Sequence, residues 1–384
     1  MKTVSWLLCW FAMAGAVVAS AESLPAHVDV FASGTEGYHT IRIPAIVTAA
    51  DGSLLAFAEG RKDNREDPGG GDIDLVYKRS TDQGASWSKL MVLDDPGAQW
   101  AASNPTPVLD RSNGRLWVVY NRWEPAFGTA ESKPGTANNQ AWVRHSDDHG
   151  RSWSPATDIT KMSRHFEEWG AMFLGPGGAI QTRNGRLIVP AAMKPDTYAI
   201  WTSVGDFLGS LNFLRAYVLY SDDHGATWRR GALLKALTNE NQVVELADGA
   251  IMMDARQSSG NRRWIVISSD GGESWSAPVP GQAVTAVATS IERYTSKAHG
   301  DDRDRILWTG PAGPGRKNLV IRVSYDEAQT FAKEKVIYGG LAAYSDISIL
   351  KDKSVGVLWE RGVSQNYQFI TFTRVKREYL EEAP

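Results

Sequence analysis

The 384-residue chain has little cysteine, little excess charge and no long apolar run beyond its first residues. Its single cysteine, Cys9, lies in the N-terminal segment, so the chain without that segment cannot form a disulfide. Stability must then come from burial, and a chain of this length can form a large core. The formal net charge of −3 and the lack of a basic stripe argue against a nucleic-acid partner.

Residues 1–21 have the features of an export signal. A positive start at Lys2 is followed by the apolar run Val4–Val18 and by small residues at Ala19–Ala21 that suit cleavage. We therefore expect a signal peptide, a mature single domain over 22–384, and a secreted or periplasmic location. The apolar run is short for a membrane span and no second candidate follows it, so no membrane span is predicted.

An eight-residue pattern, Ser-x-Asp-x-Gly-x-x-Trp, occurs four times, and we call it the Asp box. The four copies are Ser80–Trp87, Ser146–Trp153, Ser221–Trp228 and Ser268–Trp275. A fifth copy, Ser324–Phe331, has Ala328 in place of Gly and Phe331 in place of Trp. Asp and Ser bond backbone amides of their own turn, Gly takes a positive φ, and Trp covers the turn. Repetition of this kind indicates a repeat architecture.

The rest of the chain alternates short apolar runs with turn residues at strand spacing. Arg374–Glu382 is a candidate for a short helix. Each Asp box is interpreted as a hairpin corner, and one four-stranded sheet for roughly every forty to sixty residues predicts an all-β fold, a six-bladed β-propeller. Tyr367–Thr373 is expected to close the ring against the first strands. A β-sandwich is the alternative fold, and the even repeat argues against it.

Three arginines lie in or beside apolar strands, at Arg42, Arg256 and Arg322. A buried arginine is costly unless it is paired, so these residues suggest a common anionic partner. The inner strands of a propeller converge on its axis, where arginines of separate blades can meet. Three planar guanidinium groups suit one carboxylate.

Two acids and a tyrosine also fall outside the repeat. Glu240 precedes the strand that ends in Arg256, Tyr344 precedes another strand, and Asp67 lies in a Gly-rich loop.

Two Asp boxes contain Asp-Asp-His-Gly, which could suggest a metal. Turn chemistry explains these residues, and the chain has neither a His-Glu-x-x-His motif nor a cysteine pair, so no metal site is predicted.

Taken together, these motifs resemble those of the exo-sialidases (neuraminidases), the bacterial and animal glycosidase family with Asp boxes on a six-bladed propeller. The matching segments are Arg42-Ile43-Pro44, Phe57-Ala58-Glu59-Gly60-Arg61, Gly175-Pro176-Gly177, Asn239–Leu246 and Tyr344-Ser345. The resemblance covers essentially the whole mature chain, in the family's order.

The resemblance implies a role for each matching residue. It gives an arginine triad, a tyrosine nucleophile with its general base, and an acid/base: Arg42, Arg256 and Arg322; Tyr344 with Glu240; and Asp67. It also gives Glu360 as the acid that holds the first triad arginine, Arg61 near the 4-hydroxyl of the sugar, and Asn104 near the N-acetyl pocket.

Several of these assignments have a rival. Asp63 competes with Asp67, Glu245 competes with Glu240, and Asn104 could be a turn residue before proline. The stretch Ala192–Leu214 could form a rim for the aglycone or could pack in the core, and its aromatic residues are Tyr198, Trp201, Phe207 and Phe213.

The expected activity is therefore that of a retaining exo-α-sialidase acting on sialylated glycoconjugates, as a monomer, without metal or cofactor. The sialic acid carboxylate would repel an Asp or Glu nucleophile, whereas a neutral tyrosine avoids this repulsion. One alternative keeps the fold but transfers the sugar, to an acceptor or within the sugar as an anhydro product. Another is a non-catalytic sialoglycan-binding propeller, which would require a lesion at Tyr344, Glu240 or Asp67.

Overall fold

The structure, a computed structural model, describes residues 24–195, 214–258 and 260–382. The expected signal peptide and the aromatic residues of the expected aglycone rim lie outside these ranges. Short helical segments are α1 (Thr160–Ser163), a 3-10 turn at Lys297–His299, and α2 (Arg377–Glu381). None of the helices in the described ranges is long and apolar enough to cross a membrane.

Strands of the described chain form six blades, numbered here from the N-terminal side. Blade 1 contains β2 (Thr40–Thr48), β3 (Leu54–Arg61), β4 (Ile73–Ser80) and β5 (Met91–Asp94). Blade 2 contains β6 (Ala101–Asp110), β7 (Arg115–Trp123), β8 (Asn139–Ser146) and β9 (Thr157–Asp158). Blade 3 contains β10 (Trp169–Leu174), β11 (Ile180–Gln181), β12 (Leu187–Pro195), β13 (Arg215–Ser221) and β14 (Arg229–Arg230).

Of the remaining three blades, blades 5 and 6 share one long strand. Blade 4 contains β15 (Thr238–Glu245), β16 (Ile251–Gln257), β17 (Arg262–Ser268) and β18 (Val279–Ala283). Blade 5 contains β19 (Ser290–Thr295), β20 (Arg305–Pro311), β21 (Lys317–Ser324) and the first part of β22 (Lys333–Ile349). Blade 6 contains the second part of β22, then β23 (Val355–Gly362), β24 (Phe369–Val375) and β1 (His27–Ala32).

The blades form a closed ring. Along the axis β2 contacts β6, β6 contacts β10 and β11, β12 contacts β15, β15 contacts β19, β19 contacts β22, and β22 contacts β2. The last blade takes its outermost strand from the N-terminal side, because β1 pairs antiparallel with β24. The predicted six-bladed propeller is confirmed, as is the prediction that the strand near Tyr367–Thr373 closes the ring.

Each Asp box is a corner held by its own side chains. In the first box the Gly84 amide donates to Ser80 Oγ (2.9 Å), and the amide and hydroxyl of Ser86 donate to the carboxylate of Asp82. The same bonds recur in the fifth box, where Thr330 donates to Asp326 and the Ala328 amide donates to Ser324. The predicted turn role of these acids is therefore confirmed.

The boxes also join neighbouring blades. In four boxes the glycine lies so close to the preceding blade that a Cβ would meet a side chain at 2.0–2.5 Å, as Gly84 with Phe372, Gly150 with Leu55, Gly225 with Trp117 and Gly272 with Val218. The Trp87 indole packs edge-on against Phe372 at 5.5 Å. Blade 6 has no such corner because its last two strands, β24 and β1, come from opposite ends of the chain. Five boxes therefore serve six blades.

A buried carboxylate ties four blades together at the axis. Asp346, on the inner strand of blade 6, accepts from the amide of Ile46 (2.8 Å), the amide of Gly178 (3.1 Å) and the hydroxyl of Ser290 (3.0 Å). Burial raises the pKa of Asp346 to about 6. Burial, with the charge of Asp346 beside it, also raises the pKa of Glu292 to about 8. This axial contact lies two residues after Tyr344 and fixes the strand that bears it.

The contact of Gly84 with Phe372 predicts a packing cost that can be separated from backbone strain. Gly84 and Gly185 both have a positive φ (88° and 94°), but a Cβ at Gly185 would meet nothing within 4 Å. We expect Gly84→Ala to lower the free energy of unfolding by about 1–3 kcal/mol more than Gly185→Ala does. Urea unfolding of both variants measures the difference, and equal losses would show that the box does not clamp blade 6.

The axial acids predict a pH effect on stability. Because the folded-state pKa of Glu292 is raised above its ordinary value, its contribution is present at low pH and is lost as pH rises through about 8. We expect the melting temperature of Glu292→Gln, relative to the unmodified protein, to rise between pH 5 and pH 9. The control is Glu334→Gln, on an outer strand, for which we expect no such rise of the relative melting temperature with pH. A difference for Glu292→Gln that does not change with pH contradicts the prediction.

Candidate functional site

Four inner strands are irregular near the same end of the propeller. Each loses register with its neighbour near the start of its inner segment, which for β22 is the start of the part in blade 6. The shifts lie between Arg42 and Ala45, Ser103 and Thr106, Thr238 and Asn241, and Ala342 and Ser345. Two residues at these points have a positive φ, Ile43 (63°) and Asn104 (54°). A bulge of this kind re-aims side chains, and here the bulges gather residues of separate blades at one end of the axis.

Glu360 fixes the first predicted arginine. Arg42 donates through Nε (3.0 Å) and Nη2 (3.2 Å) to the two carboxylate oxygens of Glu360. The same carboxylate accepts from the amides of Ile43 (3.1 Å) and Tyr344 (3.2 Å). Against the opposing effect of burial, Glu360 raises the pKa of Arg42. One buried acid therefore orients a guanidinium group and the backbone beside the predicted nucleophile.

Tyr344 and Glu240 are in direct contact. The Tyr344 hydroxyl donates to Oε1 of Glu240, and Oε2 of Glu240 accepts from Nη1 of Arg256. The same Arg256 nitrogen lies 3.3 Å from the Tyr344 hydroxyl. These three residues come from blades 4 and 6, and the structure brings them together as the sequence predicted. A carboxylate bound to a phenol is the arrangement that a general base and a nucleophile require.

The surroundings of Tyr344 keep its hydroxyl protonated. Burial and the Glu240 carboxylate raise the pKa of Tyr344 well above its ordinary value of 10, while Arg256 and Arg42 act in the opposite direction. The phenol is therefore neutral at physiological pH. Any attack by its oxygen requires that the proton pass to Glu240 as the new bond forms.

A second cluster, from blades 1 and 2, lies beside Arg42. The buried Arg61 donates to Glu59 (2.7 Å) and to Oδ1 of Asp67 (3.1 Å), and Nη1 of Arg42 is 3.7 Å from that same oxygen. The backbone amide of Asn104 donates to Oε1 of Glu59 (3.0 Å). Burial raises the pKa of Glu59, against the effect of Arg61. Asp67 itself is exposed (81% of its side chain).

Two rivals of the predicted residues are resolved by these contacts. Glu245 lies at the far end of β15, where it pairs with Arg183 at 3.2 Å, so Glu240 is the acid at the site. In the Gly-rich loop, Asp67 is the acid that contacts Arg61 and Arg42.

Three acids near the loop form the one cluster in the described ranges with the spacing of a cation site, namely Asp72, Asp74 and Asp95. The Lys62 ammonium already lies among them, 2.9 Å from both Asp72 and Asp74. Tyr38 also donates to Asp74 at 2.7 Å. A lysine and a phenol therefore already pair with these acids at the base of the Asp67 loop.

The placement of Arg322 corrects one sequence prediction. Arg322 does not reach the cluster. It donates to Glu334 (2.7 Å) and lies over the Trp308 ring at 4.9 Å, both in blade 5, and it donates to Gln282 (2.5 Å) of blade 4, so it lies between these two blades. It sits well inside β21, towards the Asp-box end of that strand. Since a strand rises about 3.3 Å per residue, this position lies roughly 20 Å from a residue six places earlier, which is at the site end.

That earlier residue is Arg316, which the sequence interpretation missed. Arg316 precedes β21, and its guanidinium carbon lies 5.5 Å from the Tyr344 ring centre. Its Nη1 donates to the hydroxyl of Tyr367, and the Arg42 guanidinium lies 4.0 Å from the centre of the same Tyr367 ring. The signal was present in the sequence, because Gly313-Pro314-Gly315 marks a hairpin loop at the end where Arg256 also lies. The three arginines of the site are Arg42, Arg256 and Arg316.

Comparison with known proteins agrees with this architecture. The family model described as "BNR repeat-like domain" matches residues 52–357, which is most of the chain. The chain belongs to the BNR repeat-like domain family. It is also 32% identical over 374 residues to a sialidase of Micromonospora viridifaciens, covering 93% of this chain and 55% of that protein. The chain thus spans about half the length of that relative.

Two solved structures show the same fold. The Hadza microbial sialidase Hz136 superposes with a TM-score of 0.81 at 24% identity, covering 92% of this chain and 69% of that one. A leech intramolecular trans-sialidase complexed with 2,7-anhydro-Neu5Ac superposes with a TM-score of 0.76 at 19% identity, covering 92% and 71%. The resemblance to sialidases inferred from the motifs is confirmed.

The geometry predicts which third arginine holds a carboxylate. We expect Arg316→Ala to weaken the affinity for N-acetylneuraminic acid at least tenfold, because a charge-assisted bond to the carboxylate is lost (about 1.5–3 kcal/mol). Arg322→Ala, which removes a guanidinium group of the same size between blades 4 and 5, should leave the affinity within about twofold. Isothermal titration calorimetry of both variants measures this. The reverse order of effects would restore Arg322 to the triad.

Proposed function

We propose that this protein is a retaining exo-α-sialidase that releases terminal sialic acids from glycoproteins, glycolipids and oligosaccharides. The observation that supports this most strongly is the Tyr344 hydroxyl bound to Glu240 within a ring of three arginines. Few other substrates would require both features. The carboxylate on the anomeric carbon of sialic acid explains the arginines, and its charge explains a neutral nucleophile.

In the proposed first step the Tyr344 oxygen attacks the anomeric carbon while its proton passes to Glu240. Asp67 donates a proton to the glycosidic oxygen, so that the bond to the aglycone breaks and an alcohol leaves. The product is a sialyl-tyrosine in which the anomeric configuration is inverted. Arg42, Arg256 and Arg316 hold the sugar carboxylate throughout.

In the second step Asp67, now a carboxylate, takes a proton from water, whose oxygen attacks the anomeric carbon. The bond to Tyr344 breaks, and the phenol regains its proton from Glu240. The second inversion restores the original configuration, and both acids return to their starting states. Arg61 holds Asp67 at 3.1 Å, which keeps the acid beside Arg42 although its side chain is exposed.

The remaining expectations are part of this proposal. We infer that residues 1–21 direct export and that residues 22–384 act as one catalytic domain, secreted or periplasmic. The partners are sialylated glycoconjugates and not nucleic acid, and the protein works as a monomer without metal or cofactor. Asn104 is assigned to the N-acetyl pocket and Arg61 to the neighbourhood of the 4-hydroxyl, since both lie around Glu59 beside Asp67.

The proposal predicts different behaviour for two variants. Tyr344→Phe should lose turnover on every sialoside, since no nucleophile remains. Asp67→Ala should lose at least about 100-fold on a natural sialoside but much less on an aryl sialoside, whose leaving group needs little proton donation. Tyr325→Phe, which removes a hydroxyl bound to Glu381 (2.8 Å) away from the site, serves as the control. Normal turnover of Tyr344→Phe would refute the mechanism.

Proton NMR of the reaction in real time tests the reaction class. The α-anomer of free sialic acid should appear first, before mutarotation. Early formation of an anhydro sugar or of a sialylated acceptor would leave the site assignment unchanged but would make the reaction a transfer. The leech intramolecular trans-sialidase has the same fold, so this alternative is worth testing. Binding without turnover would indicate a sialoglycan-binding propeller.

A further inference from the structure

Tyr367 touches two of the three arginines of the site but has no part in the mechanism. It lies just before β24, in the hairpin loop that follows β23. The Arg42 guanidinium carbon is 4.0 Å from the centre of its ring, and that of Arg316 is 5.7 Å away. Its hydroxyl accepts from Nη1 of Arg316. One phenol thus meets arginines that come from blades 1 and 5.

The backbone of Tyr367 is held in an unfavourable conformation. Its φ is 64°, which is rare for a bulky residue and persists only where the surroundings impose it. Ser33 donates to the Tyr367 carbonyl at 2.8 Å. The Gln368 side-chain oxygen accepts from the amides of Val363 and Ser364 and closes the loop. The loop is therefore built to aim this ring at the arginines.

Packing alone does not explain this residue. The ring packs beside a small apolar cluster that includes Ile43, Ala343 and Tyr344, and a leucine or phenylalanine would fill that space equally well. The hydroxyl, however, is directed at Arg316. An apolar side chain at position 367 would leave Nη1 of Arg316 without the acceptor that it has here.

The three arginines differ in what fixes them. Glu360 binds Arg42 and Glu240 binds Arg256, whereas the described residues place no carboxylate at salt-bridge distance from Arg316. A long arginine side chain without a fixed partner loses considerable rotamer freedom when it binds a ligand. A neutral phenol can orient Arg316 without neutralising its charge, so the charge stays available to an anionic ligand.

We propose that Tyr367 is a positioning residue that holds Arg316, and with it Arg42, in the orientation in which their free donors face the substrate carboxylate. This inference rests on the proposed sialidase function. It predicts that Tyr367 acts on carboxylate binding, and hence on KM, through Arg316. The chemical step at Tyr344 should be affected little.

A double-mutant cycle on the full chain tests this coupling. We expect Tyr367→Phe, which keeps the ring and removes the hydroxyl, to raise KM for a sialoside about fivefold and to change kcat less than about twofold. Arg316→Ala should raise KM more. In the Arg316→Ala background, Tyr367→Phe should have no further effect, because the bond it removes is already absent. Tyr325→Phe is the matched control and should leave KM unchanged.

The outcomes are distinguishable. Additive effects of the two substitutions, or a loss of kcat equal to the rise in KM, would overturn the positioning role while leaving the proposed function intact. An unmodified protein that neither binds nor hydrolyses sialosides would remove the proposed function and this inference with it. Circular dichroism confirms that the isosteric Tyr367→Phe variant is folded, and a normal melting temperature assigns the change in KM to the site.

Discussion

The buried carboxylate of Glu360 is the contact on which the functional end of this propeller depends. It accepts from the Arg42 guanidinium group and from the amides of Ile43 and Tyr344, so it joins blade 1 to blade 6. Blade 6 is the blade that combines strands from the two ends of the chain and so closes the ring. Breaking a buried ion pair of this kind costs about 3–5 kcal/mol, because the remaining charge has no partner. The same acid therefore secures the ring and sets the geometry of the site.

Strand irregularity is what converts a repetitive scaffold into a specific site. The Asp boxes lie at one end of each hairpin pair and follow the same hydrogen-bond pattern from blade to blade. At the other end the inner strands have bulges, and these differ in sequence between blades. The regular end stabilises neighbouring blades through contacts such as Gly84 with Phe372. The irregular end can then carry strained residues such as Ile43 and Tyr367.

The sequence predicted the fold from its repeat and most of the site from its motifs. The Asp boxes carry a local hydrogen-bonding pattern, so four exact copies and one degenerate copy sufficed to predict hairpin corners and a propeller. Glu240, Tyr344 and Arg256 lie next to recognisable strands, and their meeting at the axis follows from that architecture.

The prediction that Arg322 belongs to the arginine triad was wrong, because the sequence does not show how far along an apolar strand an arginine lies from the site. Only the direction of the strand shows that its first residues, and the loop before them, face the site. Arg316 is in that loop, where a charged residue is ordinary, so only the adjoining Gly313-Pro314-Gly315 turn marked its position. Tyr367 was missed for a related reason. Its role depends on a positive φ and on contacts with Ser33 and Arg316, both remote from it in the sequence.

The arrangement of charges around Tyr344 accounts for the use of two kinds of arginine partner. Arg42 and Arg256 are paired with carboxylates, which lowers the cost of burying them but reduces the attraction they offer to an anion. Arg316 is bound to a phenol and keeps its full charge. In the proposed reaction the proton of Tyr344 passes to Glu240, which removes the negative charge that faces Arg256. The attraction of Arg256 for the sugar carboxylate therefore grows as the sialyl-tyrosine forms. The pairing of Arg256 with Glu240 therefore strengthens binding of the sugar carboxylate during the reaction. Glu240 can release Arg256 at that step because it is the group that accepts the proton of Tyr344.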